Sequence, residues 1–265
     1  MGVLNVTPDS FSDGGELGGV EGAIARGLRL FEDGADWVDV GGESTRPGAG
    51  RVPADEEARR VVPVIGGLRR RGAGPLSVDT TKASVARSAL DAGADMVNDV
   101  SAFGYDPAMA GLVAGRGVPA VLMHLRGAFA EMHRAPAYGD LMKEIVAELA
   151  AALARAEAAG VQRERLLVDP GIGFSKDAGH SLEALRRLGE MEALDRPILV
   201  GPSRKSFIGK VLDLPVDRRL MGTAAAVAAC VLRGAHVVRV HDVREMVEVV
   251  RVADAIRGDV AGRAA

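Results

Sequence analysis

Eight short apolar runs punctuate the chain, at residues 2–5, 37–40, 76–79, 96–99, 120–124, 166–169, 198–201 and 237–241. Runs of this length, apolar on both faces, suit buried parallel strands. Between them lie segments with helical periodicity, at about 20–33, 54–71, 82–92, 107–115, 140–159, 181–194, 218–233 and 243–257. Gly34, Gly93, Gly117, Gly160 and Gly234 fall just after five of these segments. Glycine there fits a left-handed turn that ends a helix and feeds the next strand. The pattern is strand then helix, eight times over. It predicts an α/β fold, a closed (β/α)8 TIM barrel occupying residues 1–265 as one domain. An open doubly wound sheet is the alternative. It would want a Gly-x-Gly-x-x-Gly turn after an early strand, and Gly171-Ile172-Gly173 is only a fragment of one. The first strand starts almost at Met1, so a few upstream residues are expected to be missing.

Nearly every apolar run ends in residues that can do chemistry, and in a barrel those ends share one mouth. Asp79, Asn98 and Asp169 offer carboxylate and amide groups suited to a flat, nitrogen-rich heterocycle. Arg46, Lys205, Arg239 and His241 are cationic or able to become so, and suit a polyanion. Ser203-Arg204-Lys205-Ser206 and Arg239-Val240-His241-Asp242 follow strands seven and eight, where barrels often bind phosphate.

Each residue also has a plainer reading. Asp79, before Thr80-Thr81-Lys82, fits a helix N-cap equally well. Asp169, before Pro170-Gly171, fits the start of a turn. Arg204 and Lys205 fit a solvated pair, although cations at a helix start oppose its dipole. His241 fits a core histidine, His124 fits structural support, and Met123 fits packing against a ligand or the core. Long Gly/Ser/Pro/Asp-rich loops follow strands one and two, at 7–15 and 41–49. They read as surface loops or as lids that exclude water, and Phe11 favours lids in a chain so poor in aromatics.

Composition narrows the class. A net charge of -3 and 3% aromatic content give no support to nucleic acid or an anionic membrane as partner. No apolar stretch is long enough to span a bilayer and no signal-peptide pattern opens the chain, so a cytoplasmic location is expected. The single cysteine, Cys230, excludes an intrachain disulfide and reads as a buried thiol. The histidines lack metal-ligand spacing, and no Gly-x-Ser-x-Gly elbow is present. A magnesium ion held mainly by phosphate and water would leave little trace, and Asn5 is a candidate ligand.

The opening Gly2-Val3-Leu4-Asn5-Val6-Thr7-Pro8-Asp9-Ser10-Phe11-Ser12-Asp13-Gly14-Gly15 resembles the first signature of the dihydropteroate synthases. Asp39-Val40-Gly41-Gly42-Glu43-Ser44-Thr45-Arg46-Pro47-Gly48 resembles their second, and five further blocks match in order. The resemblance implies a (β/α)8 enzyme of folate biosynthesis. It would condense (7,8-dihydropterin-6-yl)methyl diphosphate with 4-aminobenzoate, Mg2+ assisting, to give 7,8-dihydropteroate and pyrophosphate. It further implies that Asp79, Asn98, Asp169 and Lys205 hold the pterin and Asn5 binds the metal. Thr45, Arg239 and His241 would contact the diphosphate, and Phe11, Pro47, Phe174 and Ser206 would shape the aminobenzoate pocket. Family members are commonly homodimers, and apolar outer faces expected for 218–233 and 243–257 permit such an interface. Two departures stand out: Met123-His124-Leu125-Arg126-Gly127 where Met-His-Met-Gln-Gly is usual, and Ser175 where glycine is commoner. The rivals are a pterin-dependent methyltransferase domain and a catalytically silent pterin-binding paralogue. The cationic blocks after strands seven and eight argue against the first, since a methylfolate carries no diphosphate to clamp.

Overall fold

The computed structural model describes residues 1–7, 19–45, 49–132, 134 and 136–258. Through them run β1 (Gly2–Asn5), α1 (Val20–Glu32), β2 (Val38–Gly41), α2 (Ala54–Arg70), β3 (Leu76–Asp79), α3 (Ala83–Asp91), β4 (Met96–Asp99) and α4 (Ala108–Arg116). Then come β5 (Ala120–Met123), α5 (Leu141–Ala158), β6 (Leu166–Asp169), α6 (Ala178–Arg186), β7 (Leu199–Val200), α7 (Ser206–Leu212), α8 (Leu220–Leu232), β8 (Val237–Val238) and α9 (Val243–Arg257). Strands β1 to β6 pair in parallel in chain order, and β7 pairs with β8. Two single bridges complete the circuit, Val168 with Ile198 and Gly2 with Val240. Val168 N–H donates to Pro197 O, and Val3 N–H to Val240 O, each at 3.0 Å. The eight strands therefore close into a parallel barrel.

Alternation along the strands separates two cores. Residues facing outward, among them Leu4, Val38, Val40, Leu76, Val78, Val97, Leu122 and Val168, pack with the surrounding helices. Residues facing inward change character along the barrel axis. At the N-terminal end, Met1, Met96, Val121, Leu167 and Leu199 form an apolar plug with Trp37 and Val237. Two residues on from Trp37, Met96, Leu167 and Val237, the inward set turns polar: Asp39, Asn98, Asp169 and Arg239. The register sets Asn5 beside Gly41, Gly41 beside Asp79, and Asp79 beside Asn98, with Asp39 one inward position earlier, beside Ser77.

The five glycines expected after helices all have positive φ, from 60° at Gly117 to 111° at Gly93. One expected helix is broken. Residues 181–194 divide into the end of α6 and a 3₁₀ stretch, Leu188–Leu194. Its buried residues Leu188, Met191 and Leu194 recur every third position. A helix of three residues per turn places them on one face, where an α-helix would splay them. Helix α7 lies outside the eight expected helices. Among the described residues no helix is long and apolar enough to cross a membrane.

Candidate active site

The polar layer of the barrel is organised by a residue that the sequence reading passed over. Asp39, in the middle of β2, has a fully buried side chain. It accepts hydrogen bonds from Ser77 Oγ (2.5 Å), Asn98 Nδ2 (3.0 Å) and Arg239 Nε (2.7 Å). Arg239, reaching across from β8, also donates through Nη2 to Asp79 Oδ2 at 2.9 Å. One guanidinium thus spans two carboxylates. Its expected role at an anion is combined with neutralising Asp39 and Asp79. Asn98 gives one amide N–H to Asp39, which fixes the orientation of the amide and presents its carbonyl oxygen as an acceptor for a ligand. Burial pushes the Asp79 carboxyl up to about 7 against the pull of Arg239, with Asp39 adding to the rise. Asp79 is not the cap of α3. Asp106 Oδ2 accepts the Ala83 N–H there at 2.8 Å.

Asp169 ends β6, nearly fully buried, and accepts the Gly171 N–H at 2.6 Å. It therefore starts a turn and lies in the polar layer at once. Burial raises its carboxyl to about 6, opposed by the Gly171 hydrogen bond and by Lys205, Lys176 and Arg239. Gly171 has φ 70°, and a Cβ on it would lie 2.1 Å from the His124 carbonyl oxygen. Lys205 stands before α7 with its ammonium 4.0 Å from the centre of the Phe174 ring. Burial lowers it to about 8, as does Arg239, while Asp169 and Asp79 oppose the shift. Phe174 packs with Met123, Val100, Phe129 and Met132 as an apolar floor. Ser206 is exposed as the first residue of α7.

Beneath this floor the loops after β5 and β6 are fastened together. The Arg126 N–H donates to Ser175 Oγ at 2.9 Å, and that hydroxyl donates to Arg126 O at 2.7 Å. Ser175 holds φ 49°, a left-handed conformation that explains why glycine suits the position. The two departures from the family pattern therefore touch each other. His124 lies between Glu148 (Nε2, 3.1 Å) and Lys176 (Nδ1, 2.8 Å). Burial, with Lys176 and Arg126, drives its ring down to about 2, so it is a neutral support.

After β7 and β8 the two cations read as a pair in sequence go separate ways. Arg204 turns outward onto Asp242 (Nε to Oδ2, 3.0 Å), whereas Lys205 turns into the mouth. His241 meets Ser203 Oγ through Nδ1 at 3.0 Å, and its backbone N–H donates to the same oxygen at 3.2 Å. Burial, then Arg239 and Arg204, lower its ring to about 4. Near pH 7 it is a neutral hydrogen-bonding group. Asn5 is half-buried at the end of β1. Gly41 beside it keeps a space open: a methyl there would sit 3.8 Å from Asn5 Oδ1 and 3.6 Å from Asp79 Oδ2. Thr45 is partly exposed after β2. Its loop is rooted by Lys82, which donates to Glu43 Oε1 at 2.9 Å and also bonds to Glu57. Arg46, Pro47 and Phe11 lie outside the described residues, as does most of the first loop.

The arrangement is a mouth with acceptors on β3, β4 and β6, a half-buried ammonium over an aromatic ring, and a guanidinium just after β8. Among the described residues no three His, Cys, Asp or Glu side chains are grouped to hold a metal. Residues 1–241 match the family model of pterin-binding enzymes. The chain is 47% identical to a dihydropteroate synthase of Synechocystis sp. over 257 residues, 97% of this chain and 89% of that one. It is 43% identical to that of Escherichia coli over 255 residues, 96% and 90% of the two chains. The solved structure of Xanthomonas albilineans dihydropteroate synthase with 4-aminobenzoic acid superposes with TM-score 0.91 at 46% identity, covering 97% and 92%. The structure of the same enzyme in complex with 7,8-dihydropteroate gives TM-score 0.88 at 44% identity, with the same coverage.

Proposed function

This chain belongs to the pterin-binding enzyme family, and from that premise we propose how its mouth carries out the dihydropteroate synthase reaction. The chain is an enzyme of folate biosynthesis, a transferase. It condenses (7,8-dihydropterin-6-yl)methyl diphosphate with 4-aminobenzoate to give 7,8-dihydropteroate and pyrophosphate. The observation that carries the site reading is the buried polar layer of Asp79, Asn98 and Asp169 beside Lys205.

In this reading Asp169 and Asp79 accept the ring N–H and amino donors of the pterin. The Asn98 carbonyl oxygen accepts beside them, and Lys205 donates to a ring acceptor. Met123 packs against the heterocycle. The C–O bond to the diphosphate breaks first, its electron pair leaving with the diphosphate. Positive charge spreads from the methylene into the ring, where Asp79 and Asp169 stabilise it. Thr45, Arg46, Arg239 and the neutral His241 bind the diphosphate. The aminobenzoate lies against Phe174 and Ser206. Its amine, neutral at pH 7, attacks the methylene and afterwards gives up a proton to water, so no dedicated base is required.

The open space beside Gly41, with one amide oxygen and one carboxylate at its edge, fits a hard cation that arrives with a diphosphate. Asn5 would hold this Mg2+, which when bound supplies charge neutralisation to the diphosphate oxygens. We further propose a homodimer built on α7 to α9. Val211, Met221, Val252 and Ile256 support it, each more than 60% exposed. A cytoplasmic location is proposed as well, supported by the buried free thiol of Cys230.

The test is incubation with the pterin diphosphate, 4-aminobenzoate and Mg2+. Pyrophosphate release that depends on the arylamine is expected. Pterin binding without turnover would instead establish the silent paralogue.

A further inference from the structure

We propose that Lys176, which the mechanism above does not use, is a positioning residue for the arylamine half of the site, bracing Phe174 from behind. The proposal rests on the reading of Phe174 as the arylamine wall.

The lysine is almost completely buried, at 4% exposure. Burying an amine costs free energy unless its donors are matched. Two of them are: Nζ donates to His124 Nδ1 at 2.8 Å and to Phe174 O at 3.1 Å. The second bond curls the side chain back over two residues, across the left-handed Ser175. It pins the carbonyl of the residue whose ring faces Lys205. The first bond fixes the other end of the brace. Because Nδ1 accepts from the lysine, Nε2 carries the imidazole proton and donates to Glu148 at 3.1 Å. Glu148 on α5 is itself held by Arg126 Nε at 2.9 Å. A line of hydrogen bonds thus runs from an outer helix, through His124 just after β5, to the backbone of Phe174.

The charged and titratable groups facing Lys176 are His124 and Arg126 after β5, Glu148 on α5, Asp169 on β6 and Lys205 after β7. Burial lowers the amine to about 7, so above that pH it is neutral and still donates two hydrogen bonds. The brace therefore persists at pH 8, where Asp169 is ionised with or without a nearby cation. That separates positioning of Phe174 from any electrostatic effect on the pterin.

The experiment compares wild type, Lys176→Met and Lys176→Gln at pH 8. It measures KM for 4-aminobenzoate, the dissociation constant for the pterin diphosphate and the unfolding midpoint. Lys176→Met should raise the arylamine KM about five- to tenfold, the scale of one lost buried hydrogen bond. Pterin affinity should stay within twofold. Lys176→Gln keeps an N–H₂ donor group on a shorter reach and should recover part of the loss. If Lys176→Met does not fold, the glutamine variant alone decides, with a rise of about threefold expected. An unchanged arylamine KM in a folded variant overturns the proposal, and so does an equal weakening of both substrates. Failure of the wild type itself to turn over would instead overturn the functional reading.

Discussion

Replacing Asp39 with asparagine tests the electrostatic design of the mouth. The substitution is nearly isosteric, and its amide N–H₂ can donate to Ser77 Oγ where the carboxylate accepted. What disappears is the charge opposite Arg239 Nε, now 2.7 Å away. A hydrogen bond to a charged group contributes roughly 1.5–3 kcal/mol and a neutral one about 1. The variant should therefore lose about 1–2 kcal/mol near pH 8, or about 3–6 °C in unfolding temperature for a chain of this size. The pH dependence is more telling. In the wild type Asp79 titrates near 7 when folded and 3.8 when unfolded. The native state therefore holds an extra proton between those values, and this group's contribution to stability falls as pH rises through that window. Without Asp39, Asp79 becomes the sole counter-ion of Arg239 and stays ionised to lower pH, so that decline is reduced. The stability gap between wild type and Asp39→Asn should then be widest near pH 5 and shrink as pH rises through about 7. Urea unfolding at several pH values measures it. A gap that is constant across pH 5–8, or that widens with pH, would refute the assignment of Asp39 and Asp79 to one shared cation.

Three further outcomes follow from the geometry. Asp169→Asn should lower kcat/KM by at least about 100-fold and weaken pterin binding. In the wild type, affinity should drop about tenfold per unit as pH falls below about 6, where this carboxylate protonates; calorimetric titration over pH 5–8 checks both. Gly171→Ala puts a Cβ 2.1 Å from the His124 carbonyl at φ 70° and should cost about 3 kcal/mol or more, seen by denaturant unfolding. Met221→Lys with Ile256→Lys should give a monomer by analytical ultracentrifugation, and an unchanged dimer would move the interface elsewhere.

Strands β1, β3, β4 and β6 coincide residue for residue with apolar runs, because burial on both faces leaves an unbroken signal. Helix α7 escaped because seven residues containing Gly209 give too short a periodic window. Asp39 was hidden differently. It stands inside the run Trp37-Val38-Asp39-Val40, where the pattern registers a strand and the polar residue looks incidental. A charge at the inward position of a doubly buried strand must have a buried partner, and that reasoning would have found it. Lys176 was hidden too, since nothing local distinguishes it from a solvated lysine. Its partner His124 lies 52 residues away in sequence. Asp79 and Asp169 were legible because each closes an apolar run; Asn98 and Arg239 stand within theirs and were legible from the chemistry of an amide and a guanidinium near the strand ends. That Arg239 would reach Asp39 and Asp79 was not, because the contact crosses the barrel.

That crossing has a kinetic meaning. Arg239 is separated from Asp39 by 200 residues and from Asp79 by 160. Contacts of such sequence separation form late, after the loop they close has lost its freedom. The strands that deliver the arginine form the shortest ladder, two residues each against four in β1 to β6. A nascent chain with β1 to β6 assembled would hold two acids on the neighbouring strands β2 and β3 with no cation between them, and a sheet still open between β6 and β1. Docking of β8 supplies the missing charge and seals the cylinder in one event. Completion of the fold and competence of the mouth thus arrive together, and a chain arrested short of its last strand is silent rather than merely slow.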